Sequence, residues 1–177
     1  MLDRRTSRLL AGATGAGVGF GAALLLGRSP LAVLVCAGFA GIVAVASVVD
    51  LQERRIPNRL TYPGSLAAIA IAGPLGPAAL GQALGGLLLA GGMMSAMWYL
   101  SRGRLGLGDV KLSAMVGGFL GGAHVPIYLV AGTGLGAIAG LLLLASGRDR
   151  RSTFALGPFL SMGALLVMLF AGPVAGQ

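Results

Sequence analysis

This 177-residue sequence contains few of the side chains on which most active sites are built: one cysteine, one histidine and five acidic residues. The lone Cys36 excludes an intrachain disulfide and a paired-cysteine zinc site. The lone His124 is a poor candidate for a metal ligand or a catalytic base. No Ser-His or Cys-His pair, HExxH motif or Walker-type loop competes for a catalytic role. We therefore expect no metal and no cofactor.

Charged residues are also scarce, at 10% of the chain, whereas 56% of the residues are hydrophobic and the mean hydropathy is +0.89. This composition excludes a soluble globular domain. The net charge of +8 comes from short basic clusters between apolar runs. A nucleic-acid-binding protein would show a continuous basic stripe instead, so no nucleic-acid partner is expected. The composition predicts a polytopic membrane protein in the lipid bilayer.

Seven apolar segments predict an all-α membrane helix bundle. They cover residues 9–26, 31–49, 60–75, 80–100, 110–122, 125–145 and 155–174. The third and fifth are shorter than the roughly 20 residues that a spanning helix needs, which leaves open seven spans or six plus a short or re-entrant segment. The first segment mimics a signal peptide but is long enough to span, so we interpret it as a retained helix. We expect a single domain over 1–177, with a motif-bearing core at 31–174 and an extra N-terminal helix at 1–28.

Lysine and arginine clusters test this count, because cytoplasmic loops of membrane proteins are enriched in both. Such clusters precede the first segment and separate the second from the third, the fourth from the fifth and the sixth from the seventh. Only Arg28 falls on the other side. Seven spans with a cytoplasmic N-terminus therefore place Asp50 and Asp109 together at the cytoplasmic face.

Glycines and aromatic residues have structural explanations. Small residues four apart let membrane helices pack closely. Three glycine pairs have this spacing: Gly15 and Gly19, Gly117 and Gly121, Gly136 and Gly140. Aromatic side chains favour the membrane interface. We assign four of them to such a belt: Tyr62, Trp98, Tyr99 and Tyr128.

Two of the five acids lie directly at the end of an apolar segment, where a carboxylate is costly and usually marks function. Asp50 begins the stretch DLQERRIPN, and Asp109 follows two glycines in GLGDVK. We interpret the other acids as surface counter-charges with basic neighbours. They are Asp3, Glu53 and Asp149. For Glu53 these neighbours are Arg54 and Arg55.

Each of the two acids also has a structural explanation. Asp109 follows glycines and opens an apolar helix, which is a favourable N-cap position. Asp50 lies at the C-terminal end of its helix, where the negative end of the helix dipole disfavours a carboxylate. A longer helix in which Asp50 pairs with Arg54 would offset this cost. Against such a continuation, Pro57 predicts that the chain turns soon afterwards. Thr61 is then expected to cap the next helix.

The chemistry of paired carboxylates favours a shared site. Two carboxylates in one site cannot both ionise cheaply, so one keeps a proton while the other stays charged. Such a pair titrates as a unit, and it can take a proton from water and give one to a carbonyl oxygen, as in aspartic proteases. We predict that Asp50 and Asp109 meet and form one active site.

Three motifs resemble those of the type IV prepilin peptidases and archaeal preflagellin peptidases, the GxGD membrane aspartyl proteases. The first is Asp50 followed by IPN, and the second is GLGDVKL, which contains Asp109. The third, FALGPFL from Phe154 to Leu160, looks like the Gly-Pro-Phe motif at the start of a late membrane helix in those enzymes. Their order from Asp50 to Leu160 makes the resemblance specific.

The resemblance implies that Asp50 and Asp109 are the catalytic aspartates of an endopeptidase in the plasma or inner membrane. It implies removal of a short basic leader from pilin-like precursors, after a glycine and before an apolar helix, at the cytoplasmic face. The active-site loop would contain Gly106, Gly108 and Lys111. Structural roles would fall to Ile56, Pro57, Asn58, Gly157 and Pro158.

Two departures from the family modify this expectation. Many bacterial members carry an N-terminal region with paired cysteines that accompanies N-methylation of the new terminus. Here eight residues precede the first apolar segment and Cys36 is alone, so we expect a peptidase without methyltransferase activity. A basic leader would also meet a basic face. Affinity is therefore expected mainly from docking of the substrate helix between spans.

Two other functions fit some of the same observations. In a small proton- or ion-coupled transporter, the acids would form a relay and the short segments would be broken helices. However, no internal repeat is evident, and both acids lie at segment ends. An inactive assembly protein would bind pilin helices without cutting them, but it would not need both acids.

Overall fold

The computed structural model describes residues 3–145 and 155–174. Within this part of the chain there are seven α-helices and no β-strand. They are α1 (Arg4–Leu25), α2 (Pro30–Glu53), α3 (Asn58–Ala72), α4 (Pro77–Leu100), α5 (Leu107–Leu120), α6 (Val125–Ala145) and α7 (Gly157–Ala171). Short 3-10 turns, Gly73–Leu75 and Gly122–His124, precede α4 and α6. The predicted all-α bundle is confirmed, with the helices in the expected order.

The helices fall into two groups by length. Four helices are long and apolar enough to cross a membrane, namely α1, α2, α4 and the stretch Gly122–Leu143, which includes most of α6. In contrast, α3, α5 and α7 have 15, 14 and 15 residues. At about 1.5 Å per residue each falls short of a hydrocarbon core of roughly 30 Å. The chain is a multi-pass membrane bundle, and its last helix is shorter than the predicted segment 155–174.

Small residues bring α1 against α2 and α4 against α5, as two of the glycine pairs predict. A Cβ on Gly15 would lie 2.7 Å from the carbonyl oxygen of Ala40, and Gly117 meets the backbone of Gly86 in the same way. In the third pair, Gly136 is buried, whereas a Cβ on Gly140 would meet nothing within 4 Å. The prediction of close packing is therefore wrong for Gly140.

Side chains of α2 and α5 meet in the core. The rings of Phe39 and Phe119 pack with their centroids 5.2 Å apart, and Cys36 is buried in the same cluster. The predicted aromatic belt is wrong for Tyr128, which is 0% exposed on α6. Its hydroxyl group pairs with Ser113 at 3.0 Å, because a buried hydroxyl group needs a hydrogen-bond partner.

The connection between α2 and α3 turns at Pro57, but α3 begins earlier than predicted. After Glu53 the chain leaves α2 at Arg54, which has a left-handed φ of 52°. Pro57 is extended, with ψ 141°, and α3 starts directly at Asn58. Thr61 therefore lies buried inside α3 and does not cap it. Proline favours this early start because its fixed φ suits helix entry and it has no N–H to satisfy.

A polar clasp joins the N-terminal end of α1 to the C-terminal end of α2. Arg8 forms an ion pair with Glu53, and Gln52 Nε2 donates to Ser7 Oγ at 2.8 Å. Glu53 is thus a counter-charge, as expected, and its ion pair with Arg8 joins it to α1. Asp149 and Phe154 lie outside the described residues.

Arg28 caps the opposite end of the bundle. Its guanidinium group donates to the carbonyl oxygens of Leu169, Phe170 and Ala171 at 2.9, 3.1 and 3.4 Å. These carbonyls belong to the last turn of α7 and have no partner within the helix. A cation at this end also interacts favourably with the helix dipole. Arg28, the one basic residue that the predicted topology places on the other side of the membrane, therefore has a structural role.

We expect Arg28→Ala to destabilise the folded bundle by about 2 kcal/mol, the value of a charged donor lost from partly buried carbonyls. Thermal unfolding in detergent micelles would measure the loss as a lower midpoint. Arg4→Gln, a substitution at an exposed arginine of α1, is the control and should leave the midpoint unchanged. Equal midpoints for Arg28→Ala and wild type would show that the cap contributes nothing.

Candidate active site

Asp50 lies near the end of α2, and its side chain is 6% exposed. Its Oδ2 accepts a hydrogen bond from the backbone N–H of Gly157 at 3.0 Å. Gly157 is the first residue of α7, so the carboxylate sits at the positive end of that helix dipole. This contact offsets the unfavourable position of Asp50 on α2. It is a tertiary contact that the sequence did not reveal.

Glycine is required at position 157 by close approach. A Cβ there would lie 2.6 Å from Oδ2 and 2.9 Å from Cγ of Asp50, whereas real Cβ contacts lie well beyond 3 Å. Pro158 follows in the first turn of α7, where its missing N–H costs no hydrogen bond. Both residues of the third motif thus form the helix end that receives Asp50.

Asp109 is the third residue of α5 and is 8% exposed. The N-cap is Gly106, with no side-chain capping bond, so the N-cap explanation of Asp109 is wrong. A Cβ on Gly106 would lie 3.1 Å from Asp109 Oδ2, and one on Gly108 would lie 3.1 Å from the backbone nitrogen of Ile56. The glycines let this loop pack closely against the carboxylate and against the α2–α3 connection.

One cavity of about 630 Å³ has both carboxylates in its lining. The α2–α3 connection contributes Arg54, Arg55 and Ile56, and α4 contributes Trp98. The rest of the wall is formed by residues 103–108, Ala155 and Leu156. The two acids that stand out in the sequence therefore face one space, with cationic side chains around it.

Burial and charge act together on Asp109, whose first-turn position on α5 lies outside the four spanning helices. Burial raises the pKa of its carboxyl group to about 7, and the nearby negative charge of Asp50 contributes in the same direction. A backbone hydrogen bond from Gly106 opposes both effects. Asp109 can therefore hold a proton near neutral pH while facing a second carboxylate, as a proton-sharing pair requires.

Lys111 does not line this cavity, contrary to its assignment to the active-site loop. Its Nζ donates to Asn58 Oδ1 at 2.8 Å and lies 5.5 Å from the centre of the Tyr62 ring. Lys111 thus connects α5 to the start of α3 through these two contacts. The reason is helical: Lys111 follows Asp109 by two positions, so the two side chains point to different faces of α5.

Three residues near the carboxylates are not predicted by the sequence patterns: Trp98 and Leu156 line the cavity, and Tyr128 is a buried neighbour of α5. For Trp98 a signal was present, since the indole directly precedes the loop that leads to Asp109. Ser113, the hydrogen-bond partner of Tyr128, was also identifiable, as the only hydroxyl residue one helical turn after Asp109. Among the described residues, no group of three potential metal ligands occurs.

Comparison with known proteins links these residues to one family. The model of the type IV leader peptidase family matches residues 37–141, a segment that includes both Asp50 and Asp109. No solved structure matches the chain.

Several curated relatives carry the name prepilin leader peptidase/N-methyltransferase. The protein from Burkholderia pseudomallei is 31% identical over 163 residues, covering 86% of this chain and 51% of its own length. The protein from Xanthomonas campestris is 31% identical over 152 residues, covering 75% and 50%. That from Aeromonas salmonicida is 28% identical over 139 residues, covering 75% and 48%. The chain spans about half the length of these relatives.

Proposed function

Since the chain belongs to the type IV leader peptidase family, we propose that it is an aspartyl endopeptidase that removes the leader from prepilin-like precursors. The observation that carries this proposal is the pair of buried carboxylates, Asp50 and Asp109, in the lining of one cavity. The substrate class comes from relatives named prepilin leader peptidases. The absence of methyltransferase activity remains a separate prediction.

The environments of the two carboxylates support different roles. Asp109, with a pKa of about 7, holds the proton and donates a hydrogen bond to the scissile carbonyl oxygen. Asp50, whose Oδ2 receives the Gly157 N–H, is ionised and removes a proton from the attacking water. The hydroxide adds to the carbonyl carbon as Asp109 protonates the oxygen. Collapse of the tetrahedral intermediate then transfers a proton from Asp50 to the leaving amine, while a hydroxyl proton of the intermediate returns to Asp109 as the carbonyl group re-forms.

The cut takes place at the cytoplasmic membrane face in this proposal. Basic clusters lie on the same side of the chain's spans as both aspartates. The position of Arg28 agrees with this, because Arg28 binds the last carbonyls of α7 whereas Asp50 binds its first N–H. The two contacts lie at opposite ends of one helix. The substrate's apolar helix would remain in the bilayer while its leader reaches the cavity.

Leader removal by the purified protein tests the proposal. The protein is reconstituted in liposomes with a precursor that has a short basic leader, a glycine at the cut and an apolar helix after it. We expect a shortened product on a gel and a mass that locates the cut after the glycine. The same spectrum reports whether the new terminus is methylated. If several such precursors stay intact with a correctly folded protein, the peptidase proposal fails and the non-cutting binder is favoured.

We expect the rate of cleavage to fall as pH rises through about 7, the pKa of Asp109. Below this pH Asp109 keeps the proton that it donates to the substrate. Above it both carboxylates are ionised, and no acid remains to protonate the carbonyl oxygen. Values of kcat/KM measured on both sides of neutrality would show this descending limb. A rate that stays constant from neutral to alkaline pH would contradict the role of Asp109.

A further inference from the structure

Two hydroxyl groups lie in the protein interior beside Asp109. Ser113 follows Asp109 by one helical turn on α5, so both side chains lie on the same face of the helix. Ser113 and Tyr128 are both 0% exposed, and their oxygens are 3.0 Å apart. Asp109 itself is 8% exposed. Asp109, Ser113 and the Tyr128 side chain that pairs with Ser113 are therefore all buried along this face of α5.

This Ser113–Tyr128 pair has one proton more than its shared hydrogen bond uses. Each hydroxyl group carries one proton, and either oxygen can be the donor. Other helical hydroxyl groups donate to the carbonyl oxygen one turn earlier; examples are Ser47, Ser65 and Thr133. Within residues 3–145 and 155–174, Ser113 makes no such bond, and its hydrogen bond goes to Tyr128. If Tyr128 donates to Ser113, the Ser113 proton remains available to an acceptor on the same helix face.

We propose that the Ser113–Tyr128 pair positions Asp109 and stabilises its ionised form during the reaction. The Tyr128 O–H donates to Ser113 Oγ, and the Ser113 O–H donates to the Asp109 carboxylate once Asp109 has given up its proton. No covalent bond is made, and both hydroxyl groups keep their protons. Hydrogen bonds in such a buried chain polarise and strengthen one another. Neither residue touches the substrate, so both are positioning residues.

The charged groups around the cavity bear on any pH test. The α2 helix presents Asp50, the α2–α3 connection presents Arg54 and Arg55, and the loop before α5 presents Arg104. Among the described residues, α3, α4 and α7 contribute no charged side chain to the lining. Substitutions that remove only a hydroxyl group leave all of these charges in place. They isolate the contribution of the pair.

The kinetic test uses the full chain with Tyr128→Phe and Ser113→Ala, and it rests on the proposed function. For Ser113→Ala we expect kcat to fall about tenfold with KM unchanged, the effect of one hydrogen bond to a charged group. The descending pH limb of this variant should move up by about one unit, because ionised Asp109 loses its donor. Tyr128→Phe retains that donor and removes only the group that polarises it, so both changes should have the same direction and a smaller size. Ser113→Thr, which retains the hydroxyl group, should restore both. Thr133→Val, which removes a hydroxyl group bonded to Leu129 on α6, should change neither.

A second measurement needs no substrate. The infrared carbonyl band of protonated Asp109, identified by its loss in Asp109→Asn, is titrated in wild type, Tyr128→Phe and Ser113→Ala. We expect a higher titration midpoint in both variants. Failure of wild type to cleave any precursor would overturn the peptidase proposal but leave this titration informative. Folded variants whose midpoint matches that of wild type would overturn the role of the Ser113–Tyr128 pair.

Discussion

Asp50→Asn and Asp109→Asn are each expected to lower the rate of leader removal by about a thousandfold or more, because each removes an acid or base from the reaction. Without Asp109 no proton is available for the carbonyl oxygen. Without Asp50 no base activates the water. Since the two carboxylates act as one unit, the double variant should be little worse than either single variant. Initial rates in proteoliposomes would measure all three losses.

Asparagine tests chemistry separately from structure at both positions. Its amide oxygen can still accept the Gly157 N–H that Asp50 Oδ2 accepts, so the start of α7 should keep its hydrogen bond. Glu53→Gln is the matched control, because Glu53 lies on the same helix and pairs with Arg8 outside the cavity. We expect it to retain cleavage. Normal cleavage by either aspartate variant would disprove the two-aspartate mechanism, whatever the motifs indicate.

Gly157→Ala should reduce cleavage about a hundredfold, the cost of moving a reacting group by about 1 Å. The new Cβ would lie 2.6 Å from Asp50 Oδ2, so the carboxylate or the start of α7 must shift. Either shift disturbs the 3.0 Å hydrogen bond to the backbone N–H. Alanine favours helix over glycine, and the loss would therefore come from the contact with Asp50 and not from helix propensity.

Gly92→Ala provides the comparison for this variant. Gly92 lies inside α4, and a Cβ there would meet nothing within 4 Å. We expect wild-type cleavage and equal or slightly higher thermal stability. Should Gly157→Ala cleave like Gly92→Ala while both are folded, the contact between Asp50 and α7 would be unnecessary for activity. The roles of the two aspartates would then have to be reassigned.

Much of the architecture is predictable from the order of residues in this chain. Apolar runs separated by basic clusters determine the number and order of the helices, because burying backbone polar groups in lipid requires helices and charges must remain near water. The same argument isolates Asp50 and Asp109 from the other acids. Pro57 predicts the turn after α2, and the short apolar segments three and five predict that α3 and α5 are shorter than an ordinary spanning helix.

Tertiary structure alone decides which groups the two acids meet. Asp50 and Gly157 are 107 residues apart in the chain, yet they share a hydrogen bond, and no local pattern encodes a contact between two helix ends. The fold also directs Lys111 towards Asn58 and buries Tyr128 against Ser113. Apolar periodicity constrains how much of a helix is buried, whereas the identity of a buried partner depends on how all the helices pack together. The sequence therefore identified the two acids and predicts that they share one side of the membrane, and packing determined their environment.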